Sequence, residues 1–438
     1  MLDIINKLLL KNRTIVSKDS AVCMDILRQK YPIKVHKYPT NSDCQTWVIP
    51  PEWNVNYATL KLNGKLIASY DDSMLFLAPY SASFSGTISK QELINHTFTN
   101  SNVPDAFCYE HRLAYDFQRR LKEWRITLPY DLIQELPDDG EFEVDISVEV
   151  KDGNMHVAEL ENPGQSDFCF TFLSHYCHIA QANDGIAGGA VMLEVMDQIK
   201  KRYVKNKYTY RMLFMPEVIG SVAYTSENKN KIDNTIGAVF SEMPGANEGL
   251  QFVFSRRSNT YIDRVFLQVL KDKGKLDCRR VPFRKGWGND ETIFDAPGIG
   301  VPSVSIDRYP FREYHTQYDD LRNVHIDKLE EVVDIILSVV DILENDYIPE
   351  QKKNAPIYLT RYDLYSDWTY ERESYDVNTL IMDNLWSGLS VLDIALKNDL
   401  DYHYVRSYIS KMLENDLIST SIITPTYSKK TQFLPGFI

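Results

Sequence analysis

Between residues 165 and 346 the apolar positions alternate between short continuous runs and helical spacing. "FCFTFL" (168–173), "YTYRMLFM" (208–215), "TIGAVFSEM" (235–243) and "SVSIDR" (303–308) predict strands buried on both faces. "GGAVMLEVMDQIKKRY" (188–203), "TYIDRVFLQVLKDKG" (260–274) and "HIDKLEEVVDIILSVVDILEN" (325–345) predict helices between and after them. This alternation implies an α/β domain with a mostly parallel sheet, in which side chains gather at the carboxyl ends of the strands.

Before that region the pattern is different. Residues 47–140 read as β-rich: the prolines of "WVIPPEW" forbid a helix, and "YATLKL" and "KLIASY" flank Asn63-Gly64, a favoured hairpin turn. A second hairpin, "EFEVDISVEV-KDGN-MHVAEL", is expected to lead out. The first residues, "MLDIINKLLLKNRTIVSKDS", predict an amphipathic helix; Asp3 and Lys7 interrupt the apolar patch, and no small-residue cleavage pattern follows. After the linker "YIPEQKKNAPIY", residues 357–438 read as a separate module of helix, turn at "NDLD", second helix and β-rich tail, a winged helix-turn-helix pattern. The expected organisation is therefore one discontinuous α/β domain (1–46 and 141–350), an inserted β-rich domain (47–140) and a C-terminal module (357–438).

Composition narrows the function. The chain has 438 residues, of which 44% are hydrophobic, and a net charge of −13. That charge disfavours nucleic acid and anionic membranes by repulsion, and no apolar run is long enough for a membrane span. In the C-terminal module Arg406 and Lys411 are set against Asp401, Glu414 and Asp416, which favours protein contact or dimerisation, a homo-oligomer in the second case, over DNA binding. Six scattered cysteines with no CxxC pair suit reduced thiols in a cytoplasm.

The candidate chemistry lies at the strand ends. His178 and Asp184 follow the first strand, Glu217 the second and Glu242 the third, while His315 follows the last. Singly, each has a plain structural reading: a hydrogen-bonded histidine, a helix N-cap, a solvated turn. Together they form the imidazole-and-carboxylate set that zinc favours.

These segments resemble the zinc-dependent aminopeptidases with two co-catalytic metals. "DGIAGG" (184–189), "PEVIGS" (216–221), "EMPG" (242–245) and "YHTQYD" (314–319) stand where that family has its ligand motifs. More narrowly, "YCHIAQANDGIAG", "SRRSN", "GNDETIFDAPGIGVP" and "EYHTQYDDL" are similar to bacterial aminopeptidase-like proteins associated with polysaccharide biosynthesis, with an inserted β domain and a terminal winged helix.

The resemblance implies one or two zinc ions, with Asp184 bridging, His178 and Glu242 on one metal, and Glu217 and His315 around the other. Tyr314 would stabilise an oxyanion, Asp290 would lie near the site, and Asp319 would support a ligand or cap a helix. The family's tandem Glu-Glu supplies a base and then a ligand, but Pro216-Glu217-Val218 offers a single glutamate. Either Glu217 is the ligand and the base comes from elsewhere, or it is the base and one metal loses a ligand.

Arg256 and Arg257 would contact an anionic substrate or neutralise nearby acids. The expected activity is hydrolysis of an amide next to a free amino group, in a small peptide or an aminoacylated substrate. The alternative is a degenerate peptidase-like protein that binds a ligand or partner without turnover.

Overall fold

The computed structural model describes residues 1–117, 122–285 and 288–431. Its largest sheet has eight strands in the spatial order Lys34–Pro39, Asn154–Asn162, Thr209–Met215, Cys169–His175, Thr235–Phe240, Ser303–Asp307, Gln251–Val253 and Arg279–Val281. The four central strands, from Thr209–Met215 to Ser303–Asp307, are parallel. Antiparallel pairings join them to Asn154–Asn162 on one side and Gln251–Val253 on the other. The uninterrupted apolar runs have their physical reason here: nearly every residue of these strands is buried, because elements cover both faces.

Helices Gly188–Arg202, Tyr261–Asp272 and Ile326–Asn345 pack into the core on one face. The first of these begins on glycines because only hydrogen fits there. A Cβ on Gly188 would lie 1.9 Å from the Ser241 carbonyl oxygen, and one on Gly189 would lie 2.4 Å from the Phe214 ring.

The other face is continuous with the core of the insert, whose four-stranded sheet runs in the order Lys65–Ser69, Glu52–Leu62, Phe142–Lys151, Phe84–Ile88. Asn63 and Gly64 make the expected tight turn, with φ of 50° and 77°. The second expected hairpin does not form. Phe142–Lys151 pairs with Glu52–Leu62 and Phe84–Ile88, whereas Asn154–Asn162 joins the large sheet beside Lys34–Pro39. The chain crosses between sheets at Gly153, packed so tightly that a Cβ would lie 2.6 Å from Glu52. The insert's sheet consequently extends to Lys151, beyond the expected boundary at 140.

The C-terminal residues are also less separate than expected. Helices Arg372–Asp383, Val391–Lys397 and Tyr402–Glu414, with the ribbon Ile348–Gln351/Ile418–Ser421, share one hydrophobic cluster with the α/β domain. Arg264 and Asp393, both fully buried, bind each other at 2.6 and 2.9 Å across the junction. Asp346 ties the same junction, accepting from Tyr261 Oη at 2.7 Å and from the Leu392 amide at 3.0 Å. Among the described residues no helix is long and apolar enough to cross a membrane.

Candidate metal centre

The parallel strands deliver their exit loops to one edge of the sheet. His175, the last residue of Cys169–His175, is fully buried, with Nε2 at 2.5 Å from Glu242 Oε2 and 3.3 Å from Asp184 Oδ1. His178 reaches Asp184 Oδ1 through Nδ1 at 3.0 Å and Glu217 Oε2 through Nε2 at 2.9 Å. His315 Nε2 lies 2.9 Å from Asp184 Oδ2. Asp184 thus sits between three imidazoles, and the five residues expected to converge do so around a cavity of about 180 Å³.

The pairing differs from the expectation. Glu242 meets His175, a residue missed in the sequence, and His178 is the neighbour of Glu217. Three three-residue sets have donor atoms within 4.8 Å of one another, His175–Asp184–Glu242, His178–Asp184–His315 and His175–Cys177–His178; the first two share Asp184, and Glu217 belongs to none of them. The donors fit a metal cofactor chemically, being imidazoles and carboxylates with a shared aspartate. They are also incompletely used: among the described residues His175 Nδ1, His178 Nδ1, Asp184 Oδ2 and His315 Nε2 are buried without a hydrogen bond of acceptable geometry.

The loops that present these groups are held under strain and by a supporting layer. Ala180, Val218, Met243 and His315 all have positive φ (52°, 61°, 53° and 55°), a conformation costly for any residue but glycine, and most of all for a β-branched one such as Val218. Asp319 accepts the backbone N–H groups of Asn183 and Asp184 at 2.9 and 3.0 Å, fixing the backbone from which the Asp184 carboxylate projects. Asp290 accepts from the Val218 amide and Ser221 Oγ at 2.9 and 2.7 Å, steadying the turn behind Glu217. Gly185 gives His175 its space, since a Cβ there would lie 2.6 Å from the imidazole.

Burial pushes the carboxyls up, and the imidazoles decide which stay low. Asp184 is held well below its usual value despite burial, by His178, His175 and His315. Burial likewise opposes Glu217, but His178 overrides it and holds that carboxyl at about 2. For Glu242 burial wins, and its carboxyl rises to about 7 although His175 pulls the other way. Burial also raises Asp290 to about 6 and Asp319 to about 7.

Tyr314 lines the cavity with its ring stacked on His315, the centroids 3.9 Å apart. Arg256 does not reach the cavity. Its backbone N–H and Nε donate to Asp295 at 2.8 and 2.7 Å, and Arg257 donates to the Lys429 carbonyl. The reason is topological: the strand preceding them, Gln251–Val253, is antiparallel to Ser303–Asp307, so its carboxyl end leaves from the opposite edge of the sheet.

The insert contributes residues that the sequence did not signal. Its segment around Cys108 pairs with the His315 loop, the Tyr109 amide donating to the His315 carbonyl at 2.8 Å. This brings Tyr109 within 4.7 Å of the His178 ring centre, Tyr115 Oη to 3.3 Å from Glu217 Oε2, and His111 into the cavity wall.

The family described as a domain of unknown function, DUF4910, matches residues 2–346. The chain belongs to that family. It is 26% identical over 406 residues, covering 90% of each chain, to a Clostridium acetobutylicum protein provisionally named for polysaccharide biosynthesis with an aminopeptidase-like domain. A crystal structure from the same organism, provisionally called a peptidase, superposes with a TM-score of 0.82 at 24% identity, over 96% of this chain and 95% of that one. The zinc aminopeptidase of Bacillus subtilis gives a TM-score of 0.55 at 14% identity, over 77% of this chain and 93% of its own. The DUF4910 chain thus has an aminopeptidase-like fold, with a His/Asp/Glu group suited to a metal at the carboxyl ends of its parallel strands.

Proposed function

We propose that the protein is a zinc-dependent hydrolase of aminopeptidase type, acting on an amide next to a free amino group. The observation that carries this reading is the convergence of His175, His178, His315, Asp184 and Glu242 on one small volume with donor atoms left over. His175, Asp184 and Glu242 would hold one ion; His178, Asp184 and His315 would hold a second. Zinc bound in such a set acts as a Lewis acid towards a carbonyl and makes water more acidic near neutral pH.

The added histidine supports one reading of the single glutamate, as the base rather than a ligand. With His175 supplying a donor, Glu217 is released from ligation. Its Oε2 accepts from His178 Nε2 and from Tyr115, an arrangement that sets the imidazole tautomer so that Nδ1 faces Asp184. Its Oε1, which makes no hydrogen bond to the described residues, is the atom that would take a proton from water during attack on the carbonyl carbon. Tyr314, beside His315, would donate to the oxygen on which negative charge develops. The C-terminal helices and ribbon would serve, as a winged-helix-like module, for contact with a protein or a second copy of the chain.

The test is elemental analysis of chelator-free protein followed by a panel of aminoacyl p-nitroanilides. One or two zinc ions per chain together with turnover support the reading. Stoichiometric zinc with no turnover of any amide favours the binding-protein alternative, and absence of stoichiometric metal removes the hydrolase.

A further inference from the structure

The metal sets do not use every polar side chain in the cavity wall. His111 lines the cavity, stands edge-on to His315 with ring centres 5.6 Å apart, and belongs to none of the sets. Its ring nitrogens have no hydrogen-bond partner among the described residues. The Tyr109–His315 backbone bond pins the segment, and the helix Arg112–Asp116 begins immediately after it.

Asn289, also in the wall, donates Nδ2 to Glu242 Oε2 at 3.0 Å. Once it ligates a cation Glu242 is ionised and only accepts, so this bond fixes which way the amide faces. Its Oδ1 is left buried and unpaired among the described residues, in a side chain only 4% exposed. A buried acceptor in that state is destabilising unless something occupies it.

We propose that His111 and Asn289 are the substrate-contacting pair of this cavity, His111 donating to a ligand oxygen and Asn289 Oδ1 accepting a ligand N–H. The matching ligand class is a small aminoacyl group, with an amine N–H beside its carbonyl; this choice of class rests on the hydrolase reading above. A pocket built to hydrogen-bond such a group rejects an analogue that lacks it, because its own polar atoms are then left unpaired. The inserted domain is therefore part of the site, since it supplies the donor.

The experiment is calorimetric titration of the zinc-loaded full chain with L-alanine hydroxamate and with propionohydroxamate, which lacks the amine. The wild type is expected to prefer the alanine compound about tenfold, the worth of one such hydrogen bond. His111→Ala should weaken alanine hydroxamate by about tenfold with zinc stoichiometry and thermal melting unchanged, and His111→Gln should restore part of the loss. Equal binding by wild type and His111→Ala overturns the proposal, as does failure of the wild type to bind the probe or to distinguish the two compounds. If His111→Ala melts early, His111→Gln decides, an affinity for alanine hydroxamate close to that of the wild type supporting the role and a loss of about tenfold overturning it. Probe binding that depends on His111 without cleavage of any amide would sink the hydrolase reading and leave this one standing. Amide cleavage with His111-independent binding would do the reverse.

Discussion

Arg264 and Asp393 lock the C-terminal helices onto the α/β domain with a buried pair of opposite charges, and Tyr427 Oη also donates to the carboxylate. The cluster at the strand ends is also largely buried but is not closed: three imidazoles and three carboxylates meet there with several donor atoms unassigned. Both regions put charge where water is scarce. In the first, every charged group has an answering partner, and the result is a fastener. In the second, the excess of lone pairs over partners fits a cation, and the strained loops around it hold a geometry that the backbone would not choose by itself.

The comparison breaks most visibly at the fastener. Asp393→Ala leaves the Arg264 guanidinium buried without its partner and should lower the free energy of unfolding by about 3–5 kcal/mol in chemical denaturation, with zinc content unchanged. A loss below about 1 kcal/mol would mean that the junction is held by packing alone. Asp184→Ala is the opposite case. Zinc affinity should fall by more than about 100-fold, beyond what losing a supporting partner costs, while metal-free stability stays within about 1 kcal/mol of wild type because the freed imidazoles can deprotonate. Retained stoichiometric zinc would reject the shared-ligand arrangement.

The smallest effect sharpens the fastener side. Burial, reinforced by Asp393, raises Asp346 to about 6 against a usual 3.8. A carboxyl with a raised folded value favours folding in its protonated form, so this contribution is present at low pH and is lost as pH rises from about 4 through 6. Asp346→Asn keeps an acceptor for the Leu392 amide and places an N–H opposite Tyr261 Oη, which can accept it, without the charge. It should therefore raise the melting temperature at pH 8 and leave it unchanged near pH 4; an equal change at both would show that ionisation is not involved.

Much of the α/β domain was legible because its signal is local. A strand buried on both faces must be apolar throughout, and the helix after Asp184 must begin on glycine if it is to touch Ser241 and Phe214. His178, Asp184, Glu217, Glu242 and His315 could be singled out because each interrupts an apolar pattern at a strand's end. His175 was missed because it closes the strand itself and looks like part of it; the only hint was its spacing from His178. His111, Tyr115 and Asn289 carried no such mark, since nothing near them in the chain says what they face.

Hydrophobic period and turn chemistry therefore determined, from the sequence alone, the central strands and long helices of the α/β domain and which edge of the parallel sheet would gather the polar side chains. Tertiary structure alone decided partners: that Phe142–Lys151 and Asn154–Asn162 enter different sheets, that Gln251–Val253 runs backwards and carries Arg256 away, and that Glu242 meets His175. The physical reason is range. A residue's own neighbours fix its backbone preference, but which distant strand completes its hydrogen bonds, and which imidazole answers a carboxylate, depends on a competition among all the surfaces that the folded chain brings together.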